Sequence, residues 1–512
     1  MHFLAAFERT VRTNPRQTAI LTPDGEQVTY EQLYDRVNAL ARALDEEIPE
    51  RRCGVLAANG TLPVETVLAG QRRGVGTVQL PYRAGPAELA SMLERTEADG
   101  LVFDEANADL GRTIAERLDL RVVYRKGGLA RANGIESYDD VIARNAAEPV
   151  ASSGDEHGIF FTSGTTGQSK AVCFDQQQMW YGSTQVIMEQ GLDSTDRALV
   201  TTPWYHMVTT NAWILPHLQA GATLVMQPEF DPVEALRLVE DHRITGLLAV
   251  PTQLDDLIEV QREREFDLEA LSAVRTGGAI VRPDLVERTV EHLSGNLYNT
   301  YGLTEGGPNL AFAHPSVQRE RPGTVGKESY MWELRVVDDS PPSVEPDPVA
   351  TVGPGEIGEI LARGPGMATE YLDSPAAGER VFLDGWLRTG DIARVDGDGY
   401  LYVIDRIDNM IVTGGENVYP QPVENVLNSH PAVRESVVFG QPDEHWGELV
   451  TAVVSTGADV TAAELDRFCR DDEEFSDFKR PREYVFVDEP FPRTDTGTVV
   501  REQVISEFVT GT

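Results

Sequence analysis

The sequence predicts an α/β protein, with a large N-terminal domain of layered α/β sheets, a β-barrel-like subdomain, and a small mobile α+β C-terminal domain. Three observations support this fold class. The chain has 512 residues, which is enough for two or more domains with separate cores. Its 41% hydrophobic and 25% charged residues are ordinary globular values. Short apolar runs alternate with amphipathic stretches, as 222–226 does with 232–242, and this predicts parallel strands covered by helices.

Local signals place the elements of the N-terminal part. Thr29 and Gln32 are typical of a capping box, and apolar residues then repeat at helical spacing over 33–44. A strand is expected from Cys53, and another over 244–251 followed by a helix. From about residue 334, short strands alternate with Gly and Asp turns, and 338–356 is a proline-rich loop.

The last hundred residues predict a separate unit. It contains a helix near 420–429, strands over 436–440 and 450–455, a helix from Thr461 and a strand over 482–488. We therefore expect an N-terminal domain over 1–404, a hinge over 405–410 and a C-terminal domain over 411–512. The stretch DGDGY (396–400) is expected to be a hairpin turn, because Ile407 stands where a calcium loop needs a glutamate.

The charge of the chain limits its partners. There are 83 acidic against 44 basic residues, a net charge of −39, which argues against nucleic acid or an anionic membrane as partner. Only four of the basic residues are lysines. We expect a halophilic protein in a salt-rich cytoplasm, where screening weakens the repulsion.

Cysteine usage and hydropathy point to a reducing compartment. Cys53, Cys173 and Cys469 are far apart and indicate neither a disulfide framework nor a zinc site. The first residues lack the layout of a signal peptide, and no apolar run reaches the length of about 18 residues needed for a membrane span. The expected partners are small molecules, with a homodimer left open.

The stretch GIFFTSGTTGQSKAVCFD (158–175) predicts a phosphate-binding loop. Small residues expose backbone N–H groups and hydroxyls to phosphate oxygens, and Lys170 adds positive charge. It is not a Walker loop, because Ser169 precedes the lysine and a strand is expected after it. A flexible Gly/Thr hairpin is the alternative interpretation.

Four ordered motifs resemble the adenylate-forming superfamily of acyl-CoA synthetases, luciferases and peptide-synthetase adenylation domains. TSGTTGxxK resembles its phosphate loop, NTYGLTE (299–305) its adenine and Mg-ATP segment, and RTGD (388–391) its ribose segment. DRIDNMIVTGGENVYPQPVE (405–424) resembles the hinge and the CoA loop. Further stretches, among them PWYHMV (203–208) and FCRDDEEFSDFKRPREY (468–484), are similar to the 4-chlorobenzoate:CoA ligase group.

The resemblance implies a reaction with two halves. A carboxylic acid, aryl or of medium chain length, and Mg²⁺-bound ATP give an acyl-adenylate and pyrophosphate. The C-terminal domain then rotates about Asn409, and CoA displaces AMP to form a thioester.

The resemblance also implies residue roles. The phosphates would meet Thr162, Ser163, Gly164, Thr165, Thr166, Gly167 and Lys170. Gly278 and Tyr301 would flank adenine, Thr304 would touch the α-phosphate, Glu305 would hold Mg²⁺, and Asp391 with Arg406 would bind the ribose. His206 would gate the carboxylate. Taken alone, Tyr301 fits a core aromatic, the TGD stretch a turn, and His206 a structural residue.

For the thiol half, Gly414 and Gly415 would let the backbone approach pantetheine. Trp446 would stack on the CoA adenine, and Arg83, Arg480 and Arg482 would meet its phosphates. A solvated run is the alternative for the FKRPRE stretch (478–483). The implied acyl pocket is largely apolar and consists of Met207, Val208, Leu248, Ala279, Thr300, Gly307 and Pro308.

Three positions depart from the family pattern. Asp405 replaces a glycine, Asn409 replaces the usual hinge aspartate or lysine, and Thr498 replaces the lysine of the C-terminal PxxxxGK motif. Because one preorganised charge is worth about 10²–10³ in rate, we expect weakened adenylation with intact thioester formation. Arg493 or Arg501 is an alternative source of the missing charge. A carrier-protein-loading adenylation enzyme and a non-catalytic nucleotide or CoA binder are the alternative functions.

Overall fold

A computed structural model describes residues 2–48, 52–127, 135–145, 148–150, 154–162, 169–307, 309–338, 345–472, 475–493 and 499–509. It contains the following strands: β1 (Thr18–Leu21), β2 (Gln27–Thr29), β3 (Arg52–Leu56), β4 (Thr77–Gln79), β5 (Ala98–Phe103), β6 (Val122–Arg125), β7 (Glu136–Ser137), β8 (Glu156–Phe161), β9 (Ala171–Asp175), β10 (Arg197–Val200), β11 (Thr223–Met226), β12 (Gly246–Leu248), β13 (Ala273–Gly277), β14 (Leu297–Tyr301), β15 (Ala311–Ala313), β16 (Lys327–Glu328), β17 (Glu333–Val337), β18 (Ile357–Arg363), β19 (Phe382–Leu383), β20 (Trp386–Val395), β21 (Leu401–Arg406), β22 (Ile411–Thr413), β23 (Glu416–Val418), β24 (Val433–Asp443), β25 (Gly447–Thr456) and β26 (Glu483–Val487).

The α-helices are α1 (Phe3–Thr13), α2 (Tyr30–Glu47), α3 (Thr61–Arg73), α4 (Pro86–Arg95), α5 (Ala108–Arg117), α6 (Tyr138–Arg144), α7 (Gln176–Gln190), α8 (Met207–Thr209), α9 (Leu215–Ala220), α10 (Pro232–His242), α11 (Pro251–Arg264), α12 (Pro283–His292), α13 (Pro315–Glu320), α14 (Pro375–Gly378), α15 (Pro420–Asn428), α16 (Ala462–Asp471) and α17 (Arg501–Phe508). A π-helical turn lies at Thr210–Ile214, and 3₁₀ turns lie at Thr304–Gly306, Ile407–Asn409 and Asp477–Lys479. Within the described residues, no helix is both long enough and apolar enough to cross a bilayer.

The chain forms two compact units. The first contains the chain up to Gly164 together with Gln168–Leu334 and Ala362–Arg388, and the second contains Arg335–Leu361 and Thr389–Thr512. The predicted hinge at 405–410 therefore lies inside the second unit, and the domain boundary proposed there stays a prediction.

The first unit is built on two mostly parallel sheets. One has nine strands in the order β16-β15-β14-β13-β12-β10-β11-β1-β2, and the other has seven in the order β7-β6-β5-β3-β4-β8-β9. Helices α2 and α3 pack in a core with strands of both sheets, which agrees with the layered α/β fold predicted from the alternating pattern.

Two further sheets follow. A five-stranded sheet has the order β17-β18-β20-β19, with β21 beside β20, and it lies in the region from about residue 334 where short strands were predicted. The division between the two units falls within β17, β18 and β20. The last sheet, in the order β23-β22-β25-β24 with β26 beside β25, belongs to the second unit and packs against α15 and α16.

Local sequence signals explain several element boundaries. Thr29 and Gln32 form the predicted capping box of α2, and Thr461 and Glu464 form one at α16. The turn at 396–400 joins β20 to β21, and Asp396 accepts backbone N–H groups there, as the hairpin interpretation required. The strand predicted over 244–251 is too long, because it ends at Leu248 and Pro251 begins α11.

His217 is a buried titratable group in the core of the first unit. Its ring centroid lies 4.5 Å from that of Trp213, and the neutral ring donates its Nδ1–H to the Trp213 carbonyl at 2.6 Å. Burial lowers the pKa of His217 from 6.5 to about 4. Unfolding exposes a ring that takes up a proton near pH 6.5, so stability falls as the pH drops from 6.5 towards 4.

We expect the variant His217→Phe to show less acid sensitivity than the wild type. Between pH 7.5 and 4, the wild type should lose about 3 kcal/mol more of its unfolding free energy than the variant, each measured against its own value at pH 7.5. Urea unfolding at constant salt, followed by tryptophan fluorescence, measures this. His2→Gln, at an exposed histidine, is the control. Equal acid losses in wild type and His217→Phe would contradict the assignment.

Candidate active site

The carboxyl ends of four neighbouring parallel strands collect the predicted nucleotide and acid residues. Strands β10, β12, β13 and β14 pair in parallel, side by side. His206 follows β10, Leu248 ends β12, Gly278 follows β13, and Tyr301 ends β14. Because parallel strands end at the same edge of a sheet, these residues lie along one edge. The order in which successive strands are added to the sheet also reverses here, since β11 and β12 lie on opposite sides of β10.

Backbone conformation explains two glycines at this edge. Gly278 has a φ of 79°, which glycine adopts without strain. Gly307 has a φ of 71°, and a Cβ there would lie 2.8 Å from the Gly366 carbonyl oxygen. Thr300 is buried and donates its hydroxyl to the Thr276 carbonyl at 3.1 Å. Tyr301, at the end of β14, is only 8% exposed.

Glu305 lies in the 3₁₀ turn that follows β14. Its backbone carbonyl accepts the Ala368 N–H at 2.8 Å, and its Oε1 accepts the hydroxyl of Tyr371 at 2.5 Å. Within the described part of the chain, its Oε2 has no hydrogen-bond partner, and the side chain is half-buried. One oxygen is therefore held and the other is open.

Lys170 stands at the far end of the predicted phosphate loop. The Thr162 N–H donates to the Lys170 carbonyl at 3.1 Å, and the Lys170 N–H donates to the Thr162 hydroxyl at 3.1 Å, so the ends of the loop are tied together. The strand expected after Lys170 is β9. Ser163, Gly164, Thr165, Thr166 and Gly167 lie outside the described residues, as Pro308 does. The Lys170 ammonium lies 5.5 Å from the centroid of the Tyr371 ring.

A segment that the sequence analysis did not single out supports this site. In EYLDSP (370–375), Tyr371 contacts both Lys170 and Glu305, and Asp373 accepts the Ala171 N–H at 3.0 Å. Arg95 donates to Asp373 at 2.5 Å and to the Ser169 carbonyl at 2.7 Å. Arg95 and Asp373 therefore fix the end of the phosphate loop. The sequence offered one signal for this segment. Tyr371 and Asp373 are two positions apart, which is the spacing of residues that share one face of an extended chain.

The residues present fit a Mg²⁺ ion held mainly by a nucleotide. Among the described residues, no group of three or more His, Cys, Asp or Glu side chains is arranged to hold a metal ion. Mg²⁺ is commonly bound through one or two carboxylates together with substrate phosphates and water. Glu305, with one open oxygen near the lysine of the phosphate loop, meets that requirement.

The implied acid pocket begins at His206, which precedes α8. The ring centroid of His206 lies 4.5 Å from that of Tyr205. Met207 and Leu248 are buried and belong to one apolar cluster, whereas Ala279 is exposed. Val208 packs against the same cluster. Three members of the implied lining thus lie in or against this apolar cluster, and their role as an acid pocket stays a prediction.

Asn211 is a polar residue in this region that the sequence analysis missed. It is 1% exposed, and neither its amide nitrogen nor its amide oxygen has a partner among the described residues. It lies four positions after Met207 and three after Val208, within the π-helical turn, so helical spacing places it beside them. Burying an amide without hydrogen bonds is costly, and π turns often mark functional sites.

In the second unit, the predicted ribose residues form a cluster. Asp391 of β20 pairs in register with Arg406 of β21, and Arg406 donates to the Asp391 carboxylate at 3.0 Å and to the Thr389 carbonyl at 2.9 Å. Gly390 has a φ of 70°, and a Cβ there would lie 3.0 Å from the Arg406 guanidinium. The TGD stretch therefore holds Asp391 next to a cation.

Two of the three departures from the family pattern contact each other. Asp405 accepts the Asn409 amide and the Arg406 N–H, each at 2.7 Å, on Oδ1. Its Oδ2 accepts the Gln421 N–H at 2.8 Å in the first turn of α15. A carboxylate at a helix N-terminus is stabilised by the free N–H groups there. Asp405 and Asn409 thus form one hydrogen-bonded unit.

The predicted pantetheine and adenine residues of CoA also lie together. Gly414 and Gly415 have φ values of 59° and 88°, and the Gly414 N–H donates to the Trp446 carbonyl at 2.8 Å. Trp446 is 43% exposed, which is unusual for tryptophan and leaves its ring available to a ligand. The Asp443 carboxylate accepts the backbone N–H groups of Trp446 and His445, each at 2.8 Å, and these bonds hold its pKa below the ordinary value. Arg83 is exposed in the first unit.

In the FKRPRE stretch, Arg480 is paired with carboxylates of the protein, whereas Phe478, Arg482 and Glu483 are exposed. Arg480 is buried and forms ion pairs with Asp466 and Asp477, and Arg482 lies 3.5 Å from Asp477. Carboxylates of the protein thus already neutralise Arg480, so its role in CoA binding stays a prediction. Sequence reasoning missed the pair with Asp466 because that residue lies on α16, 14 positions before Arg480.

The C-terminal tail holds both arginines considered as replacements for the missing lysine. Thr498 lies outside the described residues. Arg493 pairs with Glu435. Arg501 donates to Glu424 at 2.5 Å and to the Val438 carbonyl at 2.7 Å. Burial raises the pKa of Glu424, while Arg501 beside it acts in the opposite direction. Each arginine therefore already has a carboxylate partner within the second unit.

We expect Arg501→Gln to destabilise the second unit by about 3–5 kcal/mol at pH 7.5, because it leaves Glu424 buried without its counter-charge. The loss should shrink as the pH falls, since protonation neutralises Glu424. Arg493→Gln, at the 40% exposed side chain of the same tail, is the matched control and should cost less than about 1 kcal/mol. Denaturant unfolding measures both, and equal losses would contradict this role of Arg501.

Comparison with known proteins identifies the class of protein that this fold and site define. Residues 7–372 match the AMP-binding enzyme family, and residues 422–498 match the AMP-binding enzyme C-terminal domain. The chain belongs to the AMP-binding enzyme family.

Individual relatives cover almost the whole chain. It is 32% identical over 504 residues to a feruloyl-CoA synthase of Amycolatopsis sp, covering 98% of each chain. It is 33% identical over 506 residues to an indoleacetate–CoA ligase of Aromatoleum aromaticum, covering 97% of this chain and 96% of the relative. The structure of o-succinylbenzoate CoA synthetase from Bacillus subtilis with ATP and magnesium is similar, with a TM-score of 0.82, 26% identity, and 97% and 98% of the two chains covered.

Proposed function

We propose that this protein is an AMP-forming ligase that uses ATP to join a carboxylic acid to CoA. The observation that carries the proposal is the meeting of Lys170 and Glu305 at Tyr371, at the end of the phosphate loop. A cation for phosphates and an open carboxylate oxygen for Mg²⁺ are what binding of Mg²⁺-ATP requires. The family match and the CoA ligases among the relatives support the same activity.

The reaction has two steps. A carboxylate oxygen of the acid attacks the α-phosphorus of ATP, the bond from that phosphorus to the bridging oxygen breaks, and pyrophosphate leaves. The sulfur of CoA then attacks the acyl carbon, the bond to the phosphate oxygen breaks, and AMP leaves while the thiol proton passes to solvent. When bound, Mg²⁺ would offset negative charge on the phosphates.

The residue roles follow the same order and stay predictions. The phosphate loop and Lys170 would hold the phosphates, Gly278 and Tyr301 the adenine, Thr304 the α-phosphate, and Asp391 the ribose. Gly414 and Gly415 would lie along pantetheine, and Trp446 would stack on the adenine of CoA. The positive φ values of both glycines and the exposed indole support this part.

We further propose that the acid is a ring-bearing acid of the kind used by the 4-chlorobenzoate:CoA ligase group, carrying a hydrogen-bonding group. The apolar side chains of Met207, Val208 and Leu248 favour a ring, and the unpartnered amide of Asn211 favours a donor or acceptor on it. The feruloyl-CoA synthase and the indoleacetate–CoA ligase are relatives whose named acids carry rings.

The proposed function is tested by incubating the protein with Mg²⁺, ATP, CoA and a panel of acids. The assay uses high salt, because the net charge of −39 fits the proposed salt-rich cytoplasm. AMP and acyl-CoA should appear together. Ring acids with a hydroxyl or carbonyl should react faster than unsubstituted ring acids, and Asn211→Leu should reduce this difference in rate.

Formation of acyl-adenylate without binding of CoA, measured by calorimetry, would indicate a carrier-protein loader. Binding of ATP without pyrophosphate release would indicate a non-catalytic binder.

The substitution at Thr498 predicts an asymmetric enzyme. We expect Thr498→Lys to raise the rate of pyrophosphate release by about 10²–10³, because it restores a charge at the reacting carboxylate. Thioester formation from supplied acyl-adenylate should stay unchanged. Thr496→Lys, two residues away in the same tail, is the control. No gain in the adenylation step of Thr498→Lys would refute this account of the tail.

A further inference from the structure

Tyr371 contacts two charged groups of opposite sign through different parts of its side chain. Its hydroxyl donates to Glu305 Oε1 at 2.5 Å, and its ring faces the Lys170 ammonium at 5.5 Å from the centroid. The described residues show no ion pair between Lys170 and Glu305. The tyrosine therefore contacts each charge while the two charges do not pair.

This separation has a physical consequence. A direct Lys170–Glu305 pair would neutralise the cation that phosphates need and cover the carboxylate that a metal needs. A tyrosine satisfies both groups weakly enough to leave them available, since a cation over an aromatic ring and a single hydroxyl bond each leave further contacts open.

The position of Tyr371 is firmly fixed. The residue is 3% exposed, its backbone bridges that of Val172 in β9, and its ring centroid lies 5.4 Å from that of Phe382. The backbone of Glu305 is tied to the same segment through Ala368 at 2.8 Å. Lys170 directly precedes β9, so the three side chains are built on one rigid framework.

Tyr138 offers an internal comparison in the same unit. Its hydroxyl donates to Glu65 at 2.6 Å, and Lys126 lies 5.9 Å from its ring centroid. There, however, Glu65 is fully buried and pairs with Arg36 at 2.9 Å. The same three kinds of group thus serve packing at Tyr138, whereas at Tyr371 the carboxylate keeps an open oxygen.

We propose that Tyr371 is a positioning residue that aims Glu305 at the metal of Mg²⁺-ATP and Lys170 at its phosphates, while it keeps the two from pairing with each other. This inference rests on the proposed binding of Mg²⁺-ATP at this site. It extends that function to Tyr371, to which the sequence analysis assigned no role.

The test uses Mn²⁺ as the probe, because its free concentration is read directly by electron paramagnetic resonance in the presence of ATP. Tyr371→Phe keeps the ring and removes the hydroxyl. Its half-saturating Mn²⁺ concentration should rise about 10–100-fold, the usual effect of losing a group that orients a metal ligand. Tyr371→Leu, which also removes the ring, should additionally weaken ATP binding at saturating Mn²⁺.

Tyr138→Phe is the matched control, because it also removes a buried hydroxyl–glutamate bond near a lysine. It should lower the melting temperature and leave Mn²⁺-ATP binding unchanged. In Tyr371→Phe, excess metal should restore pyrophosphate release, and thioester formation from supplied acyl-adenylate should equal that of the wild type.

Three results would overturn the inference. They are wild-type Mn²⁺ affinity in Tyr371→Phe, equal weakening in Tyr371→Phe and Tyr138→Phe, and a defect in thioester formation as large as that in pyrophosphate release. If the wild type itself does not bind Mn²⁺-ATP, the proposed function fails. If the wild type binds it and Tyr371→Phe binds it equally well, only this inference fails.

Discussion

The parallel pairing of β10, β12, β13 and β14 is the constraint on which the candidate site depends. Backbone hydrogen bonds fix the register of these strands, and the register fixes which residues stand where each strand ends. His206, Leu248, Gly278 and Tyr301 come from distant parts of the sequence, yet they share one edge for this reason. A shift of one residue in a strand would turn its side chains to the opposite face. Precise placement of the site is therefore a property of the whole sheet.

Sequence reasoning succeeded where the determining contacts are local. The capping boxes at Thr29 and Thr461, the strand after Lys170 and the turn at 396–400 each depend on residues within a few positions. The family motifs then supplied the fold and the activity, although the residue roles they imply stay predictions. The strand expected over 244–251 ran too far because apolar residues continue past Leu248 into the first turn of a helix.

The contacts that were missed join residues far apart in the chain. Arg95 meets Asp373, and Tyr371 meets Glu305, only because β9 lies beside the segment that follows residue 366. A tyrosine, an aspartate and an arginine in such positions look like ordinary polar residues. The ion pair of Arg480 with Asp466 was hidden for the same reason, since Asp466 lies on the preceding helix α16. The charge of a stretch does not tell whether the protein itself supplies the counter-charges.

The contact between Asp405 and Asn409 limits the order in which these positions were able to change. Where the family has glycine at the first position and aspartate at the second, gaining the carboxylate at 405 first would have placed two negative charges against each other. An asparagine at 409 removes that repulsion and adds a donor, which now bonds the carboxylate at 2.7 Å. A return to aspartate at 409 would lose this bond and place two carboxylates against each other, while the bond from the Gln421 N–H holds Asp405 in place. In a lineage that began with aspartate at 409, the change to Asn409 is therefore the permissive step. The later gain of Asp405 makes that change costly to reverse.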